Sequence, residues 1–225
     1  MGLLPFAGPD GTPSADVSEF AQYLDHIEIM NYDVWGSWSA TAGPNAPLND
    51  TCVADPSQSV GSAVSAVKAW TSAGLPAHQI VLAVGSYGHS FAVNKTSAYV
   101  SASNSTLTSF PKFDAAAQPN GDKWQDEAGT DICGNVEPAG GNFDFWGLVD
   151  GGFLTQKGTA APGIEYLYDT CSQTVSLFLQ LEECIGSFMV LFFIAFGVQC
   201  HFRCICCVRR CPLVWSVLFT GGVSH

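Results

Sequence analysis

The chain has 225 residues, 47% of them hydrophobic, which is enough for one domain with a sizeable core. A formal net charge of −12 excludes nucleic acid as a partner, because phosphate binding requires clustered Lys and Arg and the chain has eight in total. An uncharged, hydroxyl-rich polymer suits this charge better.

The composition changes abruptly near Thr174. Residues 1–174 contain five Lys, no Arg and 18 acidic residues, whereas residues 175–225 contain three Arg and two Glu. Six of the nine Cys and seven of the 15 Phe also lie in this C-terminal part. The contrast predicts two unrelated segments.

Residues 1–91 predict a helix, a strand, a helix and a strand in alternation. Helical spacing of apolar residues predicts a short helix over residues 16–24, capped by Ser14, and a strand over residues 26–32 follows it. An Asp-Pro pair begins a second predicted helix over residues 55–74, and the apolar run over residues 80–84 predicts a buried strand. The predicted apolar face of the second helix consists of Val60, Ala63, Val64, Val67 and Trp70. This alternation indicates parallel strands in an α/β protein.

Both predicted strands end in clusters of aromatic and polar residues. Tyr32, Asp33 and Trp35 follow the first strand, and the run from Ser86 to Phe91 follows the second. In barrel enzymes the carboxyl ends of parallel strands carry the functional residues. An aromatic ring that stacks on a sugar, with an acid and a hydroxyl that bind its polar edge, indicates a carbohydrate site.

Residues 92–170 are rich in Gly, Pro, Asn and Asp, and two ordered patterns interrupt them, Phe143–Trp146 and Ile164–Tyr168. The change predicts an inserted α+β module instead of another strand–helix repeat.

Three glycosylation sequons in residues 1–174 favour a secreted ancestry, although such triplets also arise by chance. The candidate disulfide partners are Cys52, Cys133 and Cys171, of which at least one stays unpaired. The first eight residues lack a basic region and contain Pro5, so they do not predict a signal peptide.

At its two strand-end clusters the chain resembles the family 18 glycoside hydrolases, specifically the large secreted fungal-type chitinases. The resemblance rests on the run from Asp25 to Asp33, which contains the family's Met-x-Tyr-Asp element of the sixth barrel strand, and on Ser86 to Phe91 after the seventh. It covers about residues 3–174. It implies the late strands of a (β/α)8 barrel, part of an α+β insertion, and hydrolysis of β-1,4-linked N-acetylglucosamine polymers without a cofactor.

In this family the acetamide carbonyl of the sugar attacks the anomeric carbon while a Glu protonates the glycosidic oxygen. The resemblance therefore implies that the Tyr32 hydroxyl binds the acetamide oxygen and that Asp33 hydrogen-bonds the sugar and orients nearby groups. It places Met30 on the floor of the pocket. Chitin, or an N-acetylglucosamine oligosaccharide, is the implied partner.

Further substrate contacts are expected from Tyr87 and His89, as a wall or a subsite. Related enzymes often have Arg where His89 falls, and many have Pro where Gly85 falls, so these two positions depart from the family pattern. Trp35 is a candidate sugar platform. For Trp35 and for Trp38, packing in the core is the alternative.

The acid-bearing run of the family, Asp-x-x-Asp-x-Asp-x-Glu on the fourth strand, is missing. No Asp-x-Glu pair occurs in the 225 residues. Because the middle acids raise the pKa of the catalytic Glu, we expect this chain alone not to hydrolyse chitin. A non-catalytic chitin-binding module and a membrane-anchored module are the alternatives.

The C-terminal segment supports two further interpretations. Residues 184–202 form an uncharged run of the minimum length for a membrane-spanning helix, and Arg203, Arg209 and Arg210 lie just beyond it. The abrupt end of the resemblance favours a translated non-coding stretch. The two interpretations are compatible, because such a stretch can still be hydrophobic enough to enter a membrane. The Cys-rich residues 200–211 lack paired Cys-x-x-Cys motifs and do not predict a zinc site.

Together these patterns predict an α/β fold in three parts. Residues 1–91 are the late part of a (β/α)8 TIM barrel, residues 92–174 are the insertion-type α+β module, and residues 175–225 are the apolar Cys-rich tail. The family implies an extracellular location.

Overall fold

The fold combines a small parallel sheet with a larger antiparallel one. The computed structural model describes residues 1–101, 105–125, 127–137, 139–180 and 187–194. The strands and α-helices of this part are β1 (Ile27–Asn31), α1 (Ala63–Ser72), β2 (Ile80–Val84), β3 (Tyr87–Asn94), β4 (Gly129–Thr130), β5 (Val136–Glu137), β6 (Asn142–Asp144), α2 (Phe145–Asp150), β7 (Glu165–Asp169), β8 (Thr174–Gln180) and β9 (Ser187–Ile194). Short 3-10 helices occupy Ser18–Gln22, Pro56–Gln58, Ala77–Gln79 and Ala115–Ala117.

The first unit is a strand–helix–strand crossover. β1 and β2 pair in parallel, with Ile27 opposite Ile80, and α1 provides the connection that parallel strands require. Ile29 on one face of β1 packs in a core cluster with Trp70 of α1. Met30, on the opposite face, is exposed. The two predicted strands are therefore confirmed, and their carboxyl ends lie side by side.

The second predicted helix begins later than its sequence suggests. Instead of one helix over residues 55–74, the chain forms a 3-10 turn at Pro56–Gln58, a break at Gly61 and then α1. Gly61 has a φ of 128°, which no helix accommodates. Val60 and Val64, which we predicted on the apolar face, are 49% and 45% exposed. Val60 precedes α1, and Val64 lies off the buried face of α1, which Ala63, Ala66 and Trp70 form.

The buried carboxylate of Asp50 fixes this late start. It accepts hydrogen bonds from the Ser62 hydroxyl at 2.6 Å, the Gly61 N–H at 2.9 Å and the Ser59 hydroxyl at 3.0 Å. Burial raises the pKa of Asp50, but these hydrogen bonds outweigh it and hold the pKa below its usual value. Ser62 in turn caps α1 by accepting from the Ser65 N–H.

The predicted N-terminal helix over residues 16–24 is shorter and tighter than expected. It forms a single 3-10 helix at Ser18–Gln22, and the N-terminal hydrogen bond comes from Asp16, whose carboxylate accepts from the Ser18 N–H at 2.9 Å. Ser14, the predicted cap, does not take this place. Since only one turn forms, the short segment contributes Val17 to the core and leaves Phe20 45% exposed.

The second unit is a five-stranded sheet in the order β6-β3-β9-β8-β7, and every pair in it is antiparallel. Successive residues of β8 point to opposite faces of the sheet. Phe178 packs with Phe91 of β3 on one face, whereas Leu177 packs with Phe143 and Leu148 on the other. The sheet therefore has a hydrophobic core on both faces.

Part of the apolar C-terminal segment belongs to this sheet. β9 lies between β3 and β8 and pairs with both, from Ser187 to Ile194. A membrane helix over residues 184–202, one of our two interpretations of this segment, is therefore wrong for the described portion, because this portion is a central strand. Among the described residues, no helix combines the length and hydropathy needed to cross a membrane. The Cys-rich residues 200–211 lie outside the described residues.

One disulfide joins the two units. Cys52, in the loop before α1, is bonded to Cys171, in the turn between β7 and β8. The bond closes a loop with a sequence separation of 119. Of the three cysteines that we considered, Cys133 is free and exposed.

Removal of this disulfide should destabilise the protein. In the chain-entropy model a closed loop of this length stabilises the folded state by about 3–5 kcal/mol, so Cys52→Ser should lower the free energy of unfolding by a similar amount. Urea titrations with and without reductant measure this. Cys133→Ser is the matched control and should change nothing; equal stability of the two variants would contradict the prediction.

Interruption of β9 should destabilise the sheet. Val190 lies between Phe91 of β3 and Phe178 of β8, so proline at this position removes a ladder hydrogen bond in a central strand. We expect Val190→Pro to lower the free energy of unfolding by at least about 1–3 kcal/mol relative to Val190→Ala, which keeps the backbone N–H. Identical urea midpoints for the two variants would show that this strand does not support the fold.

Candidate functional site

The candidate site begins at the end of β1, where the chain makes a sharp turn at Asp33. Asp33 has a φ of 54°, in the left-handed region that Asp and Asn tolerate better than most residues. Its N–H donates to the side-chain oxygen of Asn45 at 2.7 Å. The turn directs the Asp33 side chain toward β3.

Asn45 also holds the start of β3. Its side-chain NH2 donates to the carbonyl oxygen of Tyr87 at 2.8 Å, and only 1% of the residue is exposed. Gly85 permits the close approach, since a Cβ there would lie 2.9 Å from the Tyr87 ring and 3.1 Å from the Asn45 amide nitrogen. One buried amide therefore joins the ends of both units.

The centre of the site is the carboxylate of Asp33. The Tyr87 hydroxyl donates to its Oδ1, and Nε2 of His89 lies 2.9 Å from the same oxygen. His89 is buried, whereas the Asp33 side chain is 46% exposed. Oδ1 already has these two partners, whereas no described residue bonds to Oδ2. Oδ2 is therefore the oxygen that can accept from a ligand.

Burial, followed by the neighbouring Asp33 carboxylate, raises the pKa of Tyr87 far above its usual value. The hydroxyl therefore stays protonated over the physiological range. It acts as a permanent hydrogen-bond donor that holds Asp33 in one orientation.

Two further aromatic residues border the site. The Tyr32 ring is half-buried, and its centroid lies 6.4 Å from that of Tyr87. Trp38 is 64% exposed, and its ring centroid lies 5.6 Å from that of His89 in an edge-on arrangement. The Trp38 ring covers Gly36, where a Cβ would come within 2.3 Å of it. Trp38 therefore presents an aromatic surface to solvent.

The position of Trp35 corrects its predicted role as a sugar platform. Trp35 is 5% exposed, its ring centroid lies 5.4 Å from that of Phe110, and the backbone of Gly43 packs against the indole. The buried ring leaves no face for a sugar, so the alternative of core packing applies. Met30 lies on the same face of β1 as Tyr32 and is 45% exposed.

The structure thus brings together four of the six residues that the sequence indicated, namely Tyr32, Asp33, Tyr87 and His89. Asn45 was missed, although an Asn between two prolines in a Gly/Pro-rich loop is a signal of a fixed side chain. The site offers one open carboxylate oxygen, the hydroxyl donor of Tyr32 and an exposed aromatic face. Such groups bind a polar ring with an apolar face, and within the described residues no set of side chains could hold a metal ion.

The chain matches curated proteins over part of their length. A chitinase-like effector of Moniliophthora roreri is 55% identical over 174 residues, which are 77% of this chain and 42% of that protein. A chitinase-like effector of Moniliophthora perniciosa is 49% identical over 186 residues, which are 83% of this chain and 42% of that protein. The chain therefore spans less than half the length of these relatives.

Solved structures show the same relationship. A chitinase from Rhizomucor miehei superposes with a TM-score of 0.66 at 26% identity, over 85% of this chain and 48% of that chain. A chitinase from Cycas revoluta in complex with (GlcNAc)3 gives a TM-score of 0.52 at 16% identity, over 86% of this chain and 42% of that chain, which is a likeness of fold alone. The family model for glycosyl hydrolases family 18 matches residues 3–170. The strand-end residues and this match over most of the sequence lead to one conclusion: the chain belongs to glycoside hydrolase family 18.

Proposed function

We propose that this chain binds β-1,4-linked N-acetylglucosamine oligomers at the strand-end site and does not hydrolyse them. The observation that carries the proposal is the Asp33 carboxylate, with Oδ1 held by Tyr87 and His89 and Oδ2 open. A rigid, half-exposed acceptor beside aromatic rings suits a sugar.

The acetamide group explains the pairing of Tyr32 with Asp33. It carries one acceptor, the carbonyl oxygen, and one donor, the N–H. The Tyr32 hydroxyl would donate to the carbonyl oxygen, and Asp33 Oδ2 would accept from the N–H or from a sugar hydroxyl. The exposed Trp38 ring beside His89 would stack on the apolar face of a neighbouring unit.

Hydrolysis requires a carboxylic acid placed to protonate the glycosidic oxygen. The chain has no Asp-x-Glu pair. Glu28 shares a face of β1 with Tyr32 but precedes it by four positions, which is about 13 Å at 3.3 Å per residue. It is too far along the strand to act on a sugar held by Tyr32.

Hydrolysis by a longer protein is the second candidate function. The chitinase from Rhizomucor miehei is matched over 48% of its chain. The unmatched part of such a longer relative has room for an acid-bearing segment. In such a protein the strand-end site would hold the acetamide while another segment supplied the acid. Addition of that segment, not a change at Tyr32 or Asp33, would then restore turnover.

We infer that residues 1–91 form late barrel strands and that residues 92–174 form the inserted module. The crossover of β1, α1 and β2 supports the first assignment, and the antiparallel sheet supports the second. β3 runs from Tyr87 to Asn94 and so continues across the first junction, and β8 and β9 extend the sheet beyond residue 174. The Cys52–Cys171 disulfide supports an oxidising, extracellular location.

Removal of the Tyr32 hydroxyl should weaken oligomer binding. Tyr32→Phe keeps the ring and loses one hydrogen bond, which is worth about 1 kcal/mol, so the dissociation constant for an N-acetylglucosamine pentamer should rise about fivefold. Isothermal titration calorimetry of the full chain measures this. Tyr23→Phe is the matched control, since Tyr23 is 82% exposed and lies ahead of β1. The same affinity for Tyr32→Phe and the unaltered chain would remove Tyr32 from the site.

The full chain should release no product from the N-acetylglucosamine pentamer. The expected result is an unchanged pentamer by mass spectrometry after prolonged incubation at a concentration that saturates the site. Shorter oligomers that disappear with Asp33→Asn would overturn the proposal in favour of hydrolysis by this chain alone.

A further inference from the structure

Two of the three glycosylation sequons have their asparagine among the described residues, and their surroundings differ. They begin at Asn49 and Asn94, with Thr51 and Thr96 at the third position. The remaining sequon begins at Asn104, which lies outside the described residues. An asparagine that carries a glycan needs a side-chain nitrogen at the surface with room for a bulky sugar. The two described asparagines can be compared on this requirement.

The sequon at Asn94 lies in a tight turn at the end of β3. Oδ1 of Asn94 accepts from the N–H of Thr96 at 3.0 Å and from the Thr96 hydroxyl at 2.8 Å. Asn94, Lys95 and Thr96 are all exposed. No described residue bonds to Nδ2 of Asn94. The sequon itself therefore holds the amide oxygen, and the NH2 group stays open to solvent.

Modification of this NH2 group would leave the sheet intact. Asn94 lies opposite Ser187 of β9, and its backbone carbonyl oxygen accepts from the N–H groups of Ser97 at 2.8 Å and Ala98 at 3.1 Å. None of these interactions uses the side-chain nitrogen. A glycan on Nδ2 therefore breaks no hydrogen bond of the described fold.

The sequon at Asn49 forms the same turn in a confined place. Oδ1 of Asn49 accepts from the N–H and the hydroxyl of Thr51 at 3.1 and 2.9 Å. Its Nδ2 donates to Sγ of Cys52 at 3.4 Å, and that sulfur is bonded to Cys171. Asn49 is half-buried and lines a small cavity together with Trp35. A sugar on this nitrogen would compete with the disulfide for space.

The middle residue of each sequon reinforces this contrast. Asp50 is 4% exposed, and its carboxylate accepts the hydrogen bonds that fix the start of α1. The sequon at Asn49 is therefore anchored on both sides, by this buried acid and by the disulfide. The middle residue of the other sequon, Lys95, is exposed.

We propose that Asn94 is a site of N-linked glycosylation and that Asn49 is unmodified in the disulfide-bonded chain. The reaction forms a bond from Nδ2 of Asn94 to C1 of the first sugar of an oligosaccharide carried on a lipid diphosphate. The bond between C1 and the diphosphate oxygen breaks, and the lipid diphosphate leaves with the bonding electrons. One N–H proton passes to a base of the transferring enzyme. The donor and this enzyme belong to the secretory membrane, which agrees with the oxidising route that the Cys52–Cys171 disulfide indicates.

The glycan would leave the strand-end site open. Tyr87 begins β3 and Asn94 ends it, seven positions later, which is about 23 Å at 3.3 Å per residue. The proposal therefore goes beyond the proposed function and does not depend on it. A bulky polar chain at this end of the five-stranded sheet would make the surface more soluble.

Peptide mapping by mass spectrometry tests the site directly on the full chain, produced in a yeast host behind an added secretion leader. A peptide N-glycosidase in heavy-oxygen water converts each glycosylated asparagine into labelled aspartate. Medium and membrane extract are both mapped, so that chain retained in the cell is included, and alkylation before reduction identifies the disulfide-bonded molecules. We expect the label at Asn94 and not at Asn49. An unlabelled Asn94 in both fractions would overturn the proposal.

Variants of the third sequon position separate glycosylation from other changes at Asn94. Thr96→Ala keeps the asparagine and destroys the sequon, so the label at Asn94 and the mass of one glycan should be lost. Thr96→Ser keeps a sequon and should retain both. Asn120→Gln is the matched control, since Asn120 is exposed and lies outside any sequon, and it should leave the mass of the glycans unchanged. A label that persists in Thr96→Ala would mean deamidation without a glycan and would refute the site.

Removal of the disulfide tests the contrast between the two sequons. Cys52→Ser leaves residues 49–51 intact and releases the loop, so a measurable fraction of Asn49 should become labelled. Cys133→Ser is the control, because Cys133 is free and exposed, and Asn49 should stay unlabelled in it. An unlabelled Asn49 in Cys52→Ser would contradict the role assigned to the disulfide. A labelled Asn49 in disulfide-bonded molecules of the unaltered chain would contradict its exclusion.

Discussion

The site depends on the side-chain amide of Asn45. Its oxygen accepts from the backbone of Asp33 and its nitrogen donates to the backbone of Tyr87, so a single planar group sets the distance between the end of β1 and the start of β3. Because Asn45 is buried, water does not compete for either bond. The orientation of the Asp33 carboxylate, and with it the acceptor offered to a sugar, follows from this link between two different sheets.

The predictable parts of the fold are those that local sequence determines. β1 and β2 were predicted correctly because each is a short apolar run between turn residues. α1 was predicted in the correct place but with too early a start. Its true start is fixed by hydrogen bonds to Asp50 from residues nine to twelve positions further along the chain, and helical spacing does not report such contacts. β9 was not predicted, and a membrane helix was one of two interpretations of its segment, since an uninterrupted apolar run fits a buried strand and a buried helix equally well by pattern alone.

The site was predictable as far as it lies at strand ends. Tyr32 and Asp33 follow β1 directly, Tyr87 and His89 lie in the first turn of chain after β2, at the start of β3, and the family resemblance identified all four. The sequence could not tell which of the nearby tryptophans is exposed, because packing of an indole against a glycine depends on the path of the loop. The pairing of β3 with β6 was missed for a related reason: it joins residues far apart in the chain, and no local pattern reports that register.

The left-handed backbone at Asp33 limits how this site can change in evolution. A φ of 54° disfavours nearly every residue with a β-carbon, and Asn and Gly are the substitutes that the turn accepts without strain. Asn would keep the shape of the turn and lose the negative charge, whereas Gly would lose the side chain altogether. A descendant protein that no longer binds a sugar could therefore keep an intact fold. Selection can act on the turn and on the ligand contact separately.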